Sequence, residues 1–546
     1  MIKEDLENIL GFKVEATENP DFGDYSSNVA LGHKPPREFA EKLVAKLKAD
    51  KKLGKLVDKV EIAGPGFINF WLKRNVLLGN LNEIQKEVDR YGWSDSGKGK
   101  TVVIDYSSPN IAKPFGIGHL RSTIIGQALY NLYKSLGYEV VGDNHLGDWG
   151  TQFGKLIYMI KKENIKDFDV DKLEELYIKF HKLVADPTKV EEMESEARSW
   201  FKKLEDGDSE AKEIWQKCVD VSMAEFNKIY DLLGIKIDFA LGESYYENEM
   251  KQMMDEAAVK EHLSKGEDNA LIIDLSKEGV EIPLMFLKSD GGTTYATRDL
   301  ATIKFRVRKW NPDIIIYEVG AEQALYFKQV FAAAKLLGLV KDTVILVHTA
   351  HGLYLAPDGK KFSTRKGKTI KLEEVLTEAV ERAKKLGNSN QDVAEKVGVG
   401  AIKYYDLMHS VQSNVVFDWD KMMNLEGNSG PYLQYTVART NSVLAKKSAS
   451  QGEALQDVGD LDGEELSVLR ALVRFSEVIE SAAKSYSPNL LCNYLYDLAQ
   501  KYNAFYNKDK IIGGENEEFR LVLTSATGQV LKNGLKLLGI ETPERM

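Results

Sequence analysis

The sequence predicts an α/β protein with a parallel sheet at its centre, a small α+β section before it and an all-α section after it. Three observations carry this. Apolar runs of strand length at Thr101 to Ile104, Ile314 to Val319 and Thr343 to Val347 alternate with helical patterns, the order that covers both faces of a parallel sheet. A glycine-rich turn, F-G-I-G-H at Phe115 to His119, separates the first run from a helical pattern over Thr123 to Leu136, which is the strand, turn, helix order of a Rossmann-type nucleotide site. From about Lys396 onward the pattern is amphipathic helix, broken by one polar stretch, Ser448 to Glu464.

Taken in order, residues 1–95 mix an amphipathic helix, Pro36 to Lys48, with short strands, and end in I-A-G-P-G-F-I-N-F-W-L. Residues 98–372 hold the alternating strands and helices. Their stretch from about 155 to 234 is highly charged and helical, which reads as an inserted helical subdomain. Residues 373–546 begin with a connecting stretch and continue as the helical section. Its polar stretch is the segment with the composition of disorder.

Composition sets outer limits. The 546 residues suffice for several domains, 43% hydrophobic content fills their cores, and no apolar stretch approaches the length of a membrane span. The start, M-I-K-E-D-L-E-N, lacks the apolar core of a secretory signal, so a cytoplasmic, soluble protein is expected. The two cysteines, Cys218 and Cys492, define neither a disulfide framework nor a zinc site. A net charge of -10 does not exclude an RNA partner, because nucleic acids respond to local fields. Between Lys34 and Lys59 basic residues dominate, whereas Glu191 to Glu196 is acidic.

Chemistry concentrates at two places. At Tyr106 to Ser122, Y-S-S-P-N-I-A-K-P-F-G-I-G-H-L-R-S, Gly116 and Gly118 admit a ligand close to the backbone. The N-terminus of the following helix offers free N–H groups to phosphate, and His119 and Lys113 flank it as donors. About 240 residues on, Lys360 to Lys371 reads K-K-F-S-T-R-K-G-K-T-I-K, six cations among twelve positions with no acid. Alone this is a solvated loop; beside a nucleotide it is a cationic clamp for a triphosphate, able to stabilise charge while pyrophosphate leaves.

Together these segments resemble the two signatures of class I aminoacyl-tRNA synthetases, F-G-I-G-H-L-R-S-T matching HIGH and K-F-S-T-R matching KMSKS. D-N-H-L-G-D-W-G-T-Q-F-G at Asp143 to Gly154, K-S-D-G-G-T-T-Y-A-T-R-D-L-A at Lys288 to Ala301, G-N-S-G-P-Y-L-Q-Y-T-V-A-R at Gly427 to Arg439 and the chain end P-E-R-M resemble blocks of the arginyl-tRNA synthetases in particular. The resemblance spans nearly the whole chain.

It implies an enzyme that activates L-arginine with ATP, giving arginyl-adenylate and pyrophosphate, and then transfers the arginyl group to the terminal adenosine ribose of its tRNA. The nucleophiles belong to the substrates, so positioning and charge stabilisation are the protein's task and no side-chain nucleophile or essential general base is expected. Lys113, His119, Lys361, Ser363, Arg365 and Lys366 are the implied catalytic residues, with Gly116, Gly118, His119 and Lys361 at ATP. Asp299 and Glu243 are implied to grip the guanidinium, with Tyr295 one helical turn before Asp299. Ser108, Asn110 and Gln323 match positions holding the α-amino and carboxylate groups. His145 and Asp148 lie in a matching block without an assigned role. Magnesium is expected to arrive with ATP, not in a protein cage.

The resemblance further implies that residues 1–95 contact the corner of the tRNA, through Phe67 and Asn69, and that the C-terminal bundle binds the anticodon. Phe67 reads equally as a core strand residue. Tyr432, Arg439 and Met546 are the bundle's contact candidates, along with Tyr404, Tyr405 and Gln434, and the last residue is expected to pack back into the domain. Arginyl enzymes typically form the adenylate only with tRNA bound. A monomer is expected.

Departures accompany the match. Gly116 stands in place of the first histidine of HIGH, so His119 and Lys113 carry more of the phosphate contact. Phe362 replaces methionine and Arg365 replaces the second lysine of KMSKS; either Arg365 or Lys366 can supply the mobile charge. Tyr326 and Asn507 occupy places where histidine is expected. A cysteinyl or glutamyl enzyme is disfavoured, since zinc thiolates are lacking and a glutamate pocket needs cations where Asp299 and Glu243 stand. A catalytically silent RNA-binding paralogue is the other alternative.

Overall fold

The computed structural model describes residues 2–17, 19–185, 190–360, 370–387, 390–447 and 458–546. The chain forms two compact units, Met1–Ser94 with Asn424–Met546, and Asp95–Met423.

The second unit is built on a five-stranded parallel sheet. Its strands run in the order Ile345–His348, Ile314–Tyr317, Thr101–Asp105, Glu139–Asn144, Phe239–Ala240. Val102, Val103 and Ile104 are fully buried, which explains why the first apolar run shows no alternation: helices cover both faces. The chain leaves Thr101–Asp105 towards Glu139–Asn144 on one side and later fills the other side, so the strand order reverses between Thr101–Asp105 and Ile314–Tyr317. Ligands bind beyond the carboxyl ends of strands at such a point. The register sets Asp143, Asp105, Tyr317 and His348 in one row along that edge.

Helix Leu120–Ser135 follows the glycine-rich turn and is almost wholly buried. It lies so close to the strand exit that a Cβ at Gly126 would stand 2.3 Å from the Tyr106 side chain. Among its described residues the charged insertion forms helices Thr151–Lys162, Val170–Val184, Val190–Asp206 and Ser209–Leu233. A three-stranded antiparallel sheet, Leu263–Lys265, Leu271–Ile273 and Leu284–Leu287, is a feature that the sequence did not announce. Its strands are only three or four residues long, too short for a period-2 pattern to register. Ile273, Leu284 and Phe286 pack with Ala296, Leu300 and Ile303, fixing helix Tyr295–Trp310 over the sheet.

Helices Leu372–Gly387 and Gln391–Leu407 belong to this same unit, so the compact unit ends at Met423, later than the section boundary read at 373. A buried ion pair accounts for part of this: Arg121 of helix Leu120–Ser135 reaches Asp406 at 3.2 Å and the Ser413 carbonyl at 2.5 Å.

The first unit combines a four-stranded antiparallel sheet, in the order Glu15–Ala16, Tyr25–Ser27, Phe67–Leu72, Val57–Ala63, with helices of both chain ends. Among the described residues the C-terminal part carries helices Gly430–Lys446, Gly463–Leu472, Phe475–Lys484, Asn489–Lys508 and Glu517–Leu537. Most of the polar stretch expected to be disordered, residues 448–457, lies outside the described residues.

Candidate active site

The site begins where strand Thr101–Asp105 ends. Three non-glycine residues in the following loop adopt left-handed backbone, Ser107 (φ 75°), Ser108 (φ 46°) and Ala112 (φ 64°). Such strain persists only where the surroundings over-determine it, and here they do. The Ser107 N–H donates to Ser122 Oγ (3.0 Å), the Ser108 N–H to Asn144 Oδ1 (3.0 Å), and the Ala112 N–H to Ser222 Oγ (2.9 Å). Tyr230 Oη lies 2.8 Å from Ser107 Oγ and accepts from Asn144 Nδ2 at 3.0 Å. Ser222 and Tyr230 belong to helix Ser209–Leu233 of the insertion, which therefore helps to hold the signature loop.

Beside this loop lies a cavity of about 270 Å³. All six residues expected to hold arginine line it: Ser108, Asn110, Glu243, Tyr295, Asp299 and Gln323. Asp105, His145, Arg298, Tyr317 and Tyr326 complete most of its wall. Tyr295, 72% exposed, stands at the mouth, whereas Asp299 and Glu243 are largely buried. Tyr295, Asp299, Thr302 and Arg306 follow a spacing of three or four residues, so one helical stripe faces the cavity and the sheet.

Burial governs the electrostatics. It pushes the Asp299 carboxyl up to about 6, opposed by a hydrogen bond from the Tyr326 hydroxyl. Burial pushes Glu243 up to about 7, opposed by the Arg298 guanidinium 3.5 Å away and reinforced by Asp299 and Asp148. His145 stands 4.0 Å from Asp299, but burial brings it down to about 4, so at neutral pH this is a neutral imidazole beside a carboxylate and no ion pair. Beneath them the fully buried Arg306 bridges Asp105 and Asp143, each at 2.7 Å, and Asp105 accepts from the Ser108 hydroxyl at 2.9 Å. A guanidinium from helix Tyr295–Trp310 thus orients the acid that orients Ser108.

The structure separates two residues that the sequence left without roles. His145 lines the cavity. Asp148 accepts from the Ser244 N–H (2.9 Å) and hydroxyl (2.6 Å), and so holds the turn that presents Glu243.

A cavity of about 430 Å³ adjoins the first and shares Ser108, Asn110, Val319 and Gln323 with it. Gly118, His119 and Ser122 line one side, and His351, Gly352 and Tyr354 line the other. No protein neighbour demands glycine at 118, where a Cβ would meet nothing within 4 Å; its absence leaves room. Burial lowers His119, with Lys113 adding to the effect, so the imidazole is neutral at pH 7 and can still donate one N–H. His351 was not singled out from the sequence. Its Nδ1 lies 2.8 Å from the buried carboxylate of Glu318, which also accepts from the Thr349 hydroxyl. Only the row of strand ends brings these three together, and no local motif announces them.

Lys113 is exposed, with its ammonium 5.9 Å from the centre of the Tyr177 ring, and Gly116 is buried in backbone pairing; neither lines either of these two cavities. That pairing joins the two signatures: the Ile117 N–H donates to the Ile370 carbonyl (3.1 Å) and the Leu372 N–H to the Phe115 carbonyl (2.9 Å). Lys371 is held by Asp171 at 2.6 Å. Lys361, Ser363, Arg365 and Lys366 lie outside the described residues.

In the first unit, Phe67 is 39% exposed and hence no core residue, whereas Asn69 is 3% exposed and accepts from Ser26 Oγ at 2.7 Å. The two differ because successive strand residues at even spacing share a face but meet different neighbours; Asn69 sits opposite Ser26 in the middle of the sheet. Arg439 stacks between the rings of Tyr435 (5.1 Å) and Tyr506 (4.9 Å) and bonds Asn503, which also donates to the Tyr432 hydroxyl at 2.9 Å. Met546 is 39% exposed, but the segment before it is tied down: Gln434 donates to the Glu541 carbonyl (2.7 Å) and Asn441 to the Glu544 carbonyl (3.2 Å). Among the described residues no group of three or more His, Cys, Asp or Glu can hold a metal ion, and no helix is long and apolar enough to cross a membrane.

Comparison with known families agrees with this geometry. Residues 81–419 match the catalytic domain of class I (R) tRNA synthetases, residues 2–72 the arginyl tRNA synthetase N terminal domain, and residues 433–546 the DALR anticodon binding domain. The arginine–tRNA ligase of Chloroflexus aggregans is 41% identical over 514 residues, 90% of this chain and 88% of that protein. That of Exiguobacterium sibiricum is 39% identical over 558 residues, covering 100% of this chain and 96% of the relative. The crystal structure of the Plasmodium falciparum arginyl-tRNA synthetase superposes with a TM-score of 0.81 at 26% identity, over 100% of this chain and 98% of that one. The Thermus thermophilus enzyme shares the fold, with a TM-score of 0.84 at 23% identity over 100% and 99% of the two chains. With a family match over most of its length and relatives near 40% identity along almost all of it, the chain belongs to the arginine–tRNA ligases, the arginine branch of the class I tRNA synthetases.

Proposed function

We propose that the two adjoining cavities divide the work of arginine–tRNA ligation, the smaller holding L-arginine and the larger holding ATP. Asp299 and Glu243 grip the guanidinium as a bidentate, charge-assisted site. Ser108, Asn110 and Gln323 hold the α-amino and carboxylate ends. The observation that carries this reading is the shared wall: the residues suited to the arginine carboxylate border the nucleotide cavity as well, so the attacking oxygen and the α-phosphate meet there. His119, with Gly118 leaving space, donates to the phosphates as charge develops. Lys113 and the cations at 361, 365 and 366 stabilise departing pyrophosphate, and Ser363 contributes to the same loop. Magnesium enters with ATP as part of the substrate. In the second step a ribose hydroxyl of the terminal adenosine takes the arginyl group from the adenylate and AMP leaves.

Residues 1–95 are assigned to the tRNA corner, with Phe67 as a stacking surface and Asn69 supporting its strand. The helical section from about 373 to 546 is assigned to the anticodon, with Tyr432 and Arg439 at the contact and Met546 near it. A monomeric, cytoplasmic enzyme completes the proposal. Its test is pyrophosphate exchange and aminoacylation with each of the twenty amino acids, with and without bulk tRNA. Exchange that requires arginine and tRNA together is the expected result. Exchange with another amino acid, or none under any condition, overturns the assignment.

A further inference from the structure

Glu243 and Asp299 present a physical difficulty. A guanidinium is gripped by ionised carboxylates, yet two acids facing one largely buried cavity raise each other's cost of ionisation. The groups around Glu243 sharpen the problem. Asp299 on helix Tyr295–Trp310 and Asp148 on the loop after strand Glu139–Asn144 both bring negative charge to it, and His145 on that loop is neutral at pH 7. The cation that faces it is Arg298, next to Asp299 in sequence, whose Nη1 lies 3.5 Å from Glu243 Oε2 with both side chains largely buried. Arg298 lines the same cavity. It is anchored on its far side by a hydrogen bond from Nη2 to Thr293 Oγ1 at 3.2 Å, and its charge also reaches Glu205 of helix Val190–Asp206. The contact with Glu243 is one of charge alone: neither Glu243 Oε2 nor Arg298 Nε has a hydrogen-bond partner in the protein. The oxygen is therefore buried beside a cation and carries no hydrogen bond that a substrate would have to displace.

We infer that Arg298 is the positioning residue that keeps Glu243 ionised for arginine, a resident counterion which lowers the cost of the carboxylate without using up its hydrogen-bonding capacity. A direct bidentate pair would defeat the purpose, because Arg298 would then fill the place of the substrate's fork. The 3.5 Å separation without a hydrogen bond is the compromise that serves both ends. The sign follows from the direction of each interaction. Burial holds Glu243 near 7 and Arg298 pulls it down. Removing Arg298 must move Glu243 further up, so that at neutral pH the carboxyl is protonated and cannot grip a guanidinium.

This inference rests on Glu243 as a guanidinium ligand. Arg298→Gln is expected to raise the KM for arginine by about fivefold at pH 7, which is the loss of ionised carboxylate that a one-unit rise from about 7 produces at that pH. The rise must shrink between pH 7 and 9 as Glu243 ionises, with kcat at saturating arginine and the KM for ATP little changed. Arg298→Lys, which keeps the charge, should stay close to the parent. Arg298→Met, which keeps the volume, must reproduce the pH-dependent rise should the glutamine variant fold poorly. A KM that rises equally at every pH, that stays put, or that falls overturns the inference. Glu243→Gln separates the two layers: if it leaves the KM for arginine untouched, the pocket assignment itself fails, whereas a loss in Glu243→Gln without the pH-dependent loss in Arg298→Gln defeats only the role of Arg298.

Discussion

The hydroxyl of Tyr326 donates a hydrogen bond to Oδ2 of Asp299, joining helix Ala324–Leu336 to helix Tyr295–Trp310 across the proposed arginine cavity. Histidine is expected at 326 from the family pattern. Tyrosine performs one part of that task, as a donor that stays neutral and cannot repel an incoming guanidinium. Its hydroxyl is pushed far above the ordinary tyrosine range by burial first and by Asp299 second, so it never competes as an anion.

Tyr326→Phe should therefore weaken arginine binding in a pH-dependent way. The hydrogen bond to the charged carboxylate is worth roughly 1.5–3 kcal/mol, and losing it moves Asp299 upward from about 6 into the neutral range. The KM for arginine should rise severalfold at pH 7 and return towards the parent value by pH 9. An unchanged KM across that range contradicts the relationship.

Asp299 also makes a stability prediction. Its carboxyl is at about 6 in the folded protein against 3.8 as the ordinary value. A folded value above the unfolded one means that the group's contribution is full below about 4 and is lost as pH rises through 6. At pH 8 the ionised side chain then costs the fold roughly 3 kcal/mol. Asp299→Asn retains the shape and an acceptor for Tyr326, so its melting temperature should exceed the parent's at pH 8 by several degrees, with the gap closing near pH 4, while arginine binding collapses. A gap independent of pH would mean that the charge is not its cause.

Much of this site was legible because its parts are local. The turn Phe115–His119, the T-R-D-L stripe and the three strands are patterns within a single window, and the structure gathers all six expected arginine contacts around one cavity. What escaped is what the fold assembles from afar. Tyr230 and Ser222 look like ordinary positions of an amphipathic helix, and Glu318 with His351 like a strand end and a loop. Only sheet register and the return of helix Ser209–Leu233 bring them against the signature loop.

The strained loop gives the next prediction. Ser107 and Ser108 hold left-handed backbone at a cost of order 1–3 kcal/mol each, and Tyr230 bonds both Ser107 Oγ and the Asn144 amide that caps Ser108. Tyr230→Phe removes the hydroxyl alone. The loop should relax and displace Ser108 and Asn110 from the wall that the two cavities share, lowering kcat for aminoacylation by roughly tenfold, since misplacement of that kind costs rate. The KM for tRNA should not move. A changed KM for tRNA with a normal kcat would place the function of Tyr230 elsewhere.

His119 is neutral at pH 7 because burial lowers it, so in its proposed place at the phosphates it would act as a fixed N–H donor and not as a cation. His119→Ala should reduce adenylate formation by roughly 10²- to 10³-fold, the loss seen when one preorganised donor is removed. The parent rate should show no gain as pH falls from 7.5 to 6.5, since burial opposes protonation of the imidazole. Unaltered turnover in the variant removes His119 from the mechanism.

The chain end supplies the last prediction. Gln434 and Asn441 are seven residues apart on helix Gly430–Lys446, hence on one stripe, and each holds a tail carbonyl, Glu541 and Glu544. Tyr432, Thr436 and Arg439 form the opposite stripe, linked through Asn503 and the rings around Arg439. The tail thus braces the back of the helix whose front carries the proposed anticodon contacts, and an end that would ordinarily fray is held. Deleting residues 544–546 removes the Asn441 contact and leaves the one at Gln434. The helix stays folded but gains freedom, so the KM for tRNA should rise severalfold while the KM for ATP and tRNA-saturated kcat stay within twofold. Asn441→Ala should reproduce part of this loss without any deletion. Equal rises in the KM for tRNA and for ATP would signal general damage to the fold, and no rise in either would mean that the brace is irrelevant to tRNA.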